Sequence, residues 1–379
     1  MSGSAGGYPG LGEHRARFAL LPGVCFERND GFLKSAGIIG LGKALPERVL
    51  TNAEIETMVE TSDEWIFERT GIRKRRVAGE NETSASLGTA AAAEALRMAG
   101  VDPADVDLII CGTTSPDTLF PSTACHIQQR LGCVNAAAFD LAAACAGFVY
   151  ALAVGSELVA SGAHKMALII GADVLTKFTD WTDRGTCVLF GDGAGAAVVA
   201  PVEDGRGVLS YDLGADGTGT GLLVIPGGGG LHPASHQTVD DRLHYIKMEG
   251  REVFKFAVKI MGESSERSLA KCGLSPHDVD CFVPHQANTR IIDSATRRLG
   301  IAPERVFTNV ADYGNTSAAS VPIALYEAFL MGRIREGDLV VVVGFGAGLT
   351  WASCVLRWTM SAVPEGDGKE LAGAARVDK

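Results

Sequence analysis

Three side chains of this 379-residue chain combine types that do acyl chemistry: Cys145, His285 and Asn315. Cys145 sits in Phe139-Asp-Leu-Ala-Ala-Ala-Cys145-Ala-Gly-Phe-Val-Tyr150, where an apolar, small-residue run rises to one thiol and a glycine two places on opens a helix-like run. That order reads as strand, tight turn and helix start. Unpaired N–H groups and the macrodipole at a helix N-terminus favour a thiolate. A buried small hydrophobe is the other reading of such a cysteine. His285 in Pro284-His285-Gln-Ala-Asn288 ends a buried-strand pattern, and Asn315 falls in Asp312-Tyr-Gly-Asn315-Thr-Ser-Ala-Ala-Ser320. Taken singly, a core histidine satisfied by backbone and a turn asparagine after Gly314 account for the two. Taken together, a thiol nucleophile with polar groups able to stabilise an oxyanion is a set suited to acyl transfer.

The elements that must position them alternate short apolar strands with amphipathic helices from Ser35 onward. Strands are expected over 36–41, 106–112, 136–141 and 166–171, and helices over 84–99, 121–131 and 145–161, with Thr51/Asn52 and Ser62/Asp63 as helix caps. Gly100-Val-Asp-Pro-Ala-Asp-Val-Asp-Leu-Ile-Ile110 is echoed by Gly273-Leu-Ser-Pro-His-Asp-Val-Asp-Cys-Phe-Val283, each after a helical pattern and before a buried strand. A recurring helix–turn–strand unit predicts a duplicated α/β fold, with halves at 35–204 and 205–360. Residues 1–34 read as an extension and 361–379 as a polar tail. The second copy of the echo runs into His285, and open α/β sheets place their sites at the carboxyl ends of strands.

Several motifs are weaker than they look. Gly191-Asp-Gly-Ala-Gly195-Ala196 matches G-x-G-x-x-A, but a β-type run follows where a dinucleotide site needs a helix. A hairpin of Cys187–Phe190 with Ala197–Val202 is the expectation there. Gly227–Gly230 lacks the strand and the Lys-Ser/Thr of a phosphate loop. Leu339 to Leu356 is 18 residues without charge, yet its Val run and glycines predict two buried strands around a turn rather than a membrane helix. His232 and His236 straddle Pro233, which argues against a metal site.

The bulk properties narrow the classes. A net charge of −11 argues against nucleic-acid binding and requires a local basic patch for any polyanion. Nine cysteines without C-x-x-C spacing, and no export signal around the Phe18–Phe26 run, predict a reduced, cytoplasmic protein with no membrane association.

Asp140-Leu-Ala-Ala-Ala-Cys145-Ala-Gly-Phe, His285-Gln-Ala-Asn and Gly314-Asn315-Thr-Ser-Ala-Ala-Ser resemble β-ketoacyl-[acyl-carrier-protein] synthase III, the initiating condensing enzyme of type II fatty acid synthesis. Thr61-Ser-Asp-Glu-Trp-Ile, Arg69-Thr-Gly-Ile-Arg, Asp183-Arg-Gly-Thr and Phe190-Gly-Asp-Gly-Ala-Gly are similar to that family too, so the resemblance runs from about Gly37 to Trp358. It implies a thiolase fold, layered α-β-α-β-α from two duplicated halves, and a homodimer. It also implies an acyl-Cys145 intermediate formed from acyl-CoA, then decarboxylating condensation with malonyl-[acyl-carrier-protein], with His285 and Asn315 as hydrogen-bond donors. No cofactor is required, CoA thioester being a substrate. Trp65 and Arg184 resemble an adenine-sandwiching pair, Arg69 a phosphate contact, and Asn288 a pantetheine contact; Arg251 stands where the family's best-known members have an asparagine.

Phe345 resembles the phenylalanine that shields the nucleophile, and backbone near Gly346–Gly348 an oxyanion donor. Lys255, Arg290, Arg297 and Arg298 match carrier-protein docking positions. Phe120 matches a gate residue closing the partner subunit's acyl pocket, which predicts short primers. Elongating synthases, thiolases and hydroxymethylglutaryl-CoA synthases differ in their catalytic sets, and chalcone-synthase-like enzymes lack the Trp65 and His-Gln-Ala-Asn context. The alternatives are a priming ketosynthase or acyltransferase of a polyketide pathway, and a non-enzymatic acyl-binding protein of the same fold.

Overall fold

The computed structural model describes residues 34–361; the N-terminal extension and the C-terminal tail otherwise lie outside the described residues. The first half contains β1 (Ser35–Ala44), α1 (Asp63–Thr70), α2 (Ser84–Ala99), β2 (Leu108–Gly112), α3 (Thr123–Leu131), β3 (Ala137–Leu141), α4 (Gly147–Ala160), β4 (Ala167–Asp173) and β5 (Gly193–Val202). The second contains β6 (Gly207–Ala215), α5 (Gly250–Lys271), β7 (Cys281–Pro284), α6 (Thr289–Leu299), α7 (Ser320–Leu330), β8 (Leu339–Gly346) and β9 (Thr350–Arg357).

The five-stranded sheet has the order β1-β5-β4-β2-β3 and the four-stranded sheet β6-β9-β8-β7. In both, the first two neighbouring pairs are antiparallel and the next is parallel. The place corresponding to β3 is marked by a parallel bridge from Phe282 to Val306. One topology has therefore been laid down twice. The sequence echo marks it locally: α2 and α5 each give way to a left-handed glycine (Gly100, φ 66°; Gly273, φ 70°) and a one-turn 3₁₀ helix before the strand.

Helices α4 and α7 lie between the two sheets, which explains why they are apolar all round rather than striped. Helix α2 covers the outer face of the first sheet and α5 and α6 that of the second, giving the α-β-α-β-α layering. Strand β8, Leu-Val-Val-Val-Val-Gly-Phe-Gly, is buried throughout, as a strand covered on both faces must be. Thus the uncharged stretch forms β8 and β9, and among the described residues no helix is long and apolar enough to cross a membrane.

Both central helices begin with the same device. A 3₁₀ turn whose first residue is left-handed precedes each: Ala144 (φ 46°) before α4 and Ser317 (φ 52°) before α7.

The expected hairpin at Cys187–Val202 is corrected. Arg184–Cys187 is a short helix and Gly193–Val202 is one strand, paired with β1 on one side and β4 on the other. The glycines there answer to packing rather than to a turn. A Cβ on Gly195 would lie 2.7 Å from Pro322 Cβ and 2.9 Å from Ile323 N, so small residues let α7 sit directly on the strand.

Candidate active site

Cys145 lies in the 3₁₀ turn that feeds α4, 5% exposed. The turn is braced by Thr350 Oγ1, which donates to Ala143 O at 2.9 Å. Strand β8 passes so close that a Cβ on Gly346 would stand 2.6 Å from Cys145 N and 2.8 Å from Ala144 Cβ; only glycine fits. Burial pushes the Cys145 thiol up to about 12, with Asp173 adding to the rise, while the Ser317 and Asn315 side chains oppose it. The resting group is therefore the thiol, not the thiolate that its position at a helix start suggests.

His285 follows the last residue of β7, its N–H donating to Val343 O at 2.7 Å. Nδ1 lies 2.6 Å from Ser320 Oγ at the start of α7, and that oxygen accepts the Gln286 N–H at 3.3 Å. The Ser320 hydroxyl has no other acceptor among the described residues, so its proton goes to Nδ1. The ring proton is thereby assigned to Nε2. Burial lowers the imidazole to about 3, which keeps it neutral and a donor through one nitrogen.

Asn315 is held by backbone bonds to both sides of one strand-like bridge: its N–H donates to Leu189 O at 2.9 Å and its O accepts from Gly191 N at 3.0 Å. Its Oδ1 accepts the Ser317 N–H at 2.8 Å, which orients the amide and leaves Nδ2 as its donor on the Cys145 side.

Cys145, His285, Asn315, Asn288, Phe345 and Gly346 line one cavity of about 100 Å³. Phe345 stands edge-on to His285, ring centroids 5.2 Å apart at 71°. A second cavity of about 290 Å³ shares Cys145, Phe190 and Leu223 with the first and is walled further by Leu175, Ile225 and Ile246. Two spaces thus meet at one sulfur, the smaller bearing His285 and Asn315 and the larger walled mainly by aliphatic side chains with Thr114 and Ser317. The larger space has room for an acyl group on the sulfur, and the smaller one carries the two donors.

Arg69 and Arg184 both stack on Trp65, their guanidinium carbons 4.9 Å and 4.8 Å from the ring centroid. A base inserted between ring and guanidinium needs about 7–8 Å, so Arg184 must swing outward to admit one; it is exposed and tied by one bond to Glu60 O at 3.0 Å. Asn288 caps α6 and donates from Nδ2 to Arg69 O at 2.8 Å, so one side chain joins the Trp65 cluster to the cavity. The remaining positive charges of 73–76 form no common patch. Arg73 pairs with Asp63, Lys74 with Asp312, and Arg75 is fully buried against Asn52 and Val188.

Arg290 precedes the cavity-lining Ile291 and sets its guanidinium over the ring of Phe254, another lining residue, at 5.6 Å; Lys255 follows Phe254 in sequence and pairs with Glu252 at 2.7 Å. Arg297 and Arg298 are exposed farther along α6, Arg298 pairing with Glu263 at 3.2 Å. Gly348 lies outside both cavities, and so does Phe120, which is 86% exposed. Residues not singled out from sequence are Ser317, Ser320, Thr114 and the apolar wall of the second cavity. Both serines stand inside the Asn315 motif, whose density of hydroxyls was the available signal. Among the described residues no group of three metal-ligating side chains occurs.

Residues 139–217 match the family described as 3-oxoacyl-[acyl-carrier-protein (ACP)] synthase III, and residues 269–358 its C-terminal counterpart. The β-ketoacyl-[acyl-carrier-protein] synthase III of Natranaerobius thermophilus is 54% identical over 329 residues, covering 86% of this chain and 100% of that protein. The chain belongs to the β-ketoacyl-[acyl-carrier-protein] synthase III family. The crystal structure of the Thermus thermophilus synthase III superposes with a TM-score of 0.80 at 50% identity, over 85% of this chain and 99% of that one. A priming β-ketosynthase from the R1128 polyketide pathway superposes equally well (0.80) at 38% identity, over 86% and 97%. The fold of these neighbours is the thiolase fold expected from the sequence.

Proposed function

We propose that this chain is an acyltransferase that initiates fatty acid biosynthesis by condensing a short acyl-CoA primer with malonyl-[acyl-carrier-protein]. The observation that carries the residue roles is the meeting of Cys145 with two donors, His285 Nε2–H and Asn315 Nδ2–H, in one cavity.

In the first half-reaction Cys145 Sγ attacks the acyl-CoA carbonyl, its own N–H and backbone near Gly346–Gly348 bind the oxyanion, and the C–S bond to CoA breaks. CoA leaves as the thiol, carrying the proton lost by Cys145. In the second, the carboxylate of the malonyl group leaves as CO₂ and its bonding electrons become an enolate. His285 and Asn315 hold that enolate oxygen. The carbanion attacks acyl-Cys145 and the C–S bond breaks, giving 3-oxoacyl-[acyl-carrier-protein] and a thiolate that takes a proton from solvent to restore the resting thiol. These steps require neither a metal nor a redox cofactor. A neutral histidine donor suits enolate stabilisation better than proton abstraction, because burial has already removed most of its basicity.

Trp65, Arg69, Arg184 and Asn288 form the CoA side of the entrance, and Lys255, Arg290, Arg297 and Arg298 the dock for the acidic carrier protein. Phe120 acts on the second subunit of a homodimer rather than on its own chain, which agrees with its exposure. The uncovered strand β3, with Phe139 exposed, offers the edge for that pairing. Nine cysteines without C-x-x-C spacing, free wherever they fall among the described residues, suit the cytoplasm. The wholly fatty-acid reading is preferred over polyketide priming because the synthase III relatives are more similar to this chain than the R1128 enzyme.

The deciding experiment separates the half-reactions. Cys145→Ser should abolish acyl transfer yet retain CO₂ release from malonyl-carrier protein, and His285→Ala should remove most CO₂ release. The reverse pattern would mean that the roles are exchanged.

A further inference from the structure

Glu327 is a buried carboxylate that touches neither cavity, yet it holds segments leading to both enolate donors. It sits on α7, 3% exposed, two turns after Ser320. Its Oε1 accepts from Lys43 Nζ at 2.7 Å and from the Tyr313 hydroxyl at 2.5 Å, and its Oε2 from Asn309 Nδ2 at 2.8 Å. Lys43 comes from β1 of the other half, and its ammonium also lies 5.6 Å from the Tyr313 ring centroid.

Each neutral partner leads to a donor. The Asn309 N–H donates to Gln286 Oε1 at 2.9 Å, and Gln286 Nε2 donates to Pro284 O at 2.7 Å. The residue after His285 is thus pinned at both ends of its side chain. Tyr313 stands two residues before Asn315, in the turn that sets the asparagine's bridge to Phe190. Helix α7 closes the circuit, since the hydroxyl of its first residue, Ser320, donates a hydrogen bond that Nδ1 of His285 accepts.

A buried ion pair is seldom the cheapest way to fill a core, because the desolvation of two charges offsets most of their attraction. What this pair provides is geometry. Its two oxygens fix both ends of the one-turn helix Val310–Tyr313, which Asn309 caps, against α7, and charge-assisted bonds are short and directional. We propose that Glu327, neutralised by Lys43, is the shared positioning residue for the His285 and Asn315 donors, so that the decarboxylating step depends on an ion pair between the two halves. This rests on the assignment of His285 and Asn315 to that step.

The test measures the two half-reactions of the full-length enzyme side by side: acetylation of Cys145 by acetyl-CoA, read by intact mass, and CO₂ release from malonyl-carrier protein. Glu327→Gln should lower the kcat of CO₂ release by about 10- to 100-fold with little change in KM, since displacement of about 1 Å at a reacting group has that scale of effect. Acetylation should stay within about twofold of the parent rate. Tyr313→Phe keeps the ion pair and removes only the arm toward Asn315. It should give a smaller loss of the same kind, and it decides the matter if Glu327→Gln does not fold. Unchanged CO₂ release in Tyr313→Phe and Glu327→Gln, or parallel decline of both half-reactions, overturns the positioning role. His285→Ala in the same assay tests the underlying assignment separately: intact CO₂ release there would sink that assignment, whatever Glu327 does.

Discussion

Ser320→Ala isolates the tautomer of His285 from its presence. The hydroxyl at 2.6 Å from Nδ1 is the only group assigned to fix the ring proton on Nε2, and it also accepts the Gln286 N–H. If its loss lets the proton divide equally between the two nitrogens, the active form is halved, a cost of about 0.4 kcal/mol. The ring also loses its orienting bond, for which about 1 kcal/mol is a central value. The two contributions sum to about 1.4 kcal/mol, a tenfold fall in CO₂ release from malonyl-carrier protein. Removing the imidazole donor altogether should cost ~10²–10³, so the serine variant should sit clearly between parent and His285→Ala. Acetylation of Cys145 should be unaffected, and the orphaned Gln286 N–H should lower Tm slightly. Equal losses in both half-reactions, or a CO₂-release rate within twofold of the parent, would refute the tautomer argument.

Other outcomes follow from burial and packing. With its thiol pushed up to about 12, Cys145 should react with iodoacetamide about tenfold faster per pH unit from 6 to 9; a plateau below pH 8 would contradict a protonated resting state. CO₂ release should show no inflection near pH 6.5, because His285, lowered to about 3, stays neutral there, and an inflection would place its titration in the working range. The same shift has a stability sign: an unfolded histidine binds its proton below about 6.5 and the folded one only near 3, so folding should weaken as pH falls through that window, and His285→Phe should flatten the acid limb of Tm against pH. Gly346→Ala should abolish acetylation and lower Tm, since its Cβ would meet Cys145 N at 2.6 Å; full acetylation would show that β8 can retreat. Arg290→Glu should raise KM for malonyl-carrier protein with kcat for acetylation unchanged, and an unchanged KM would remove that arginine from the dock.

The layered fold was legible because its signals are local and repeated. The echo at Gly100 and Gly273, the uniform apolarity of β8 and the helix at 84–99 each follow from burial on a known number of faces. Cys145, His285 and Asn315 were legible as types. Their donor roles came only with the family resemblance, and the groups that orient the donors were hidden, because Ser320 Oγ and Ser317 N–H approach from other turns of the chain. The glycine run at 191–195 misled for the same reason: a glycine needed for contact with α7 is indistinguishable in sequence from one needed for a turn. The apolar cavity was also hidden, since Leu175, Leu223 and Ile246 belong to three separate segments. Closure of Arg69 and Arg184 on Trp65 is likewise a matter of side-chain packing that no spacing encodes.

The matched turns before the two central helices carry an evolutionary consequence. Ala144-Cys145 in one half corresponds by conformation to Ser317-Ala318 in the other, each pair opening on a left-handed residue. An ancestral half, paired with its own copy, would have faced two such turns toward each other. In the fused chain the twin of the nucleophile is alanine, and the twin of its neighbour is a serine whose N–H now steadies Asn315. At the reacting turn the two halves have diverged. Two like sockets became a reacting sulfur and its supporting wall, which is how a repeated fold comes to hold a single, directional reaction.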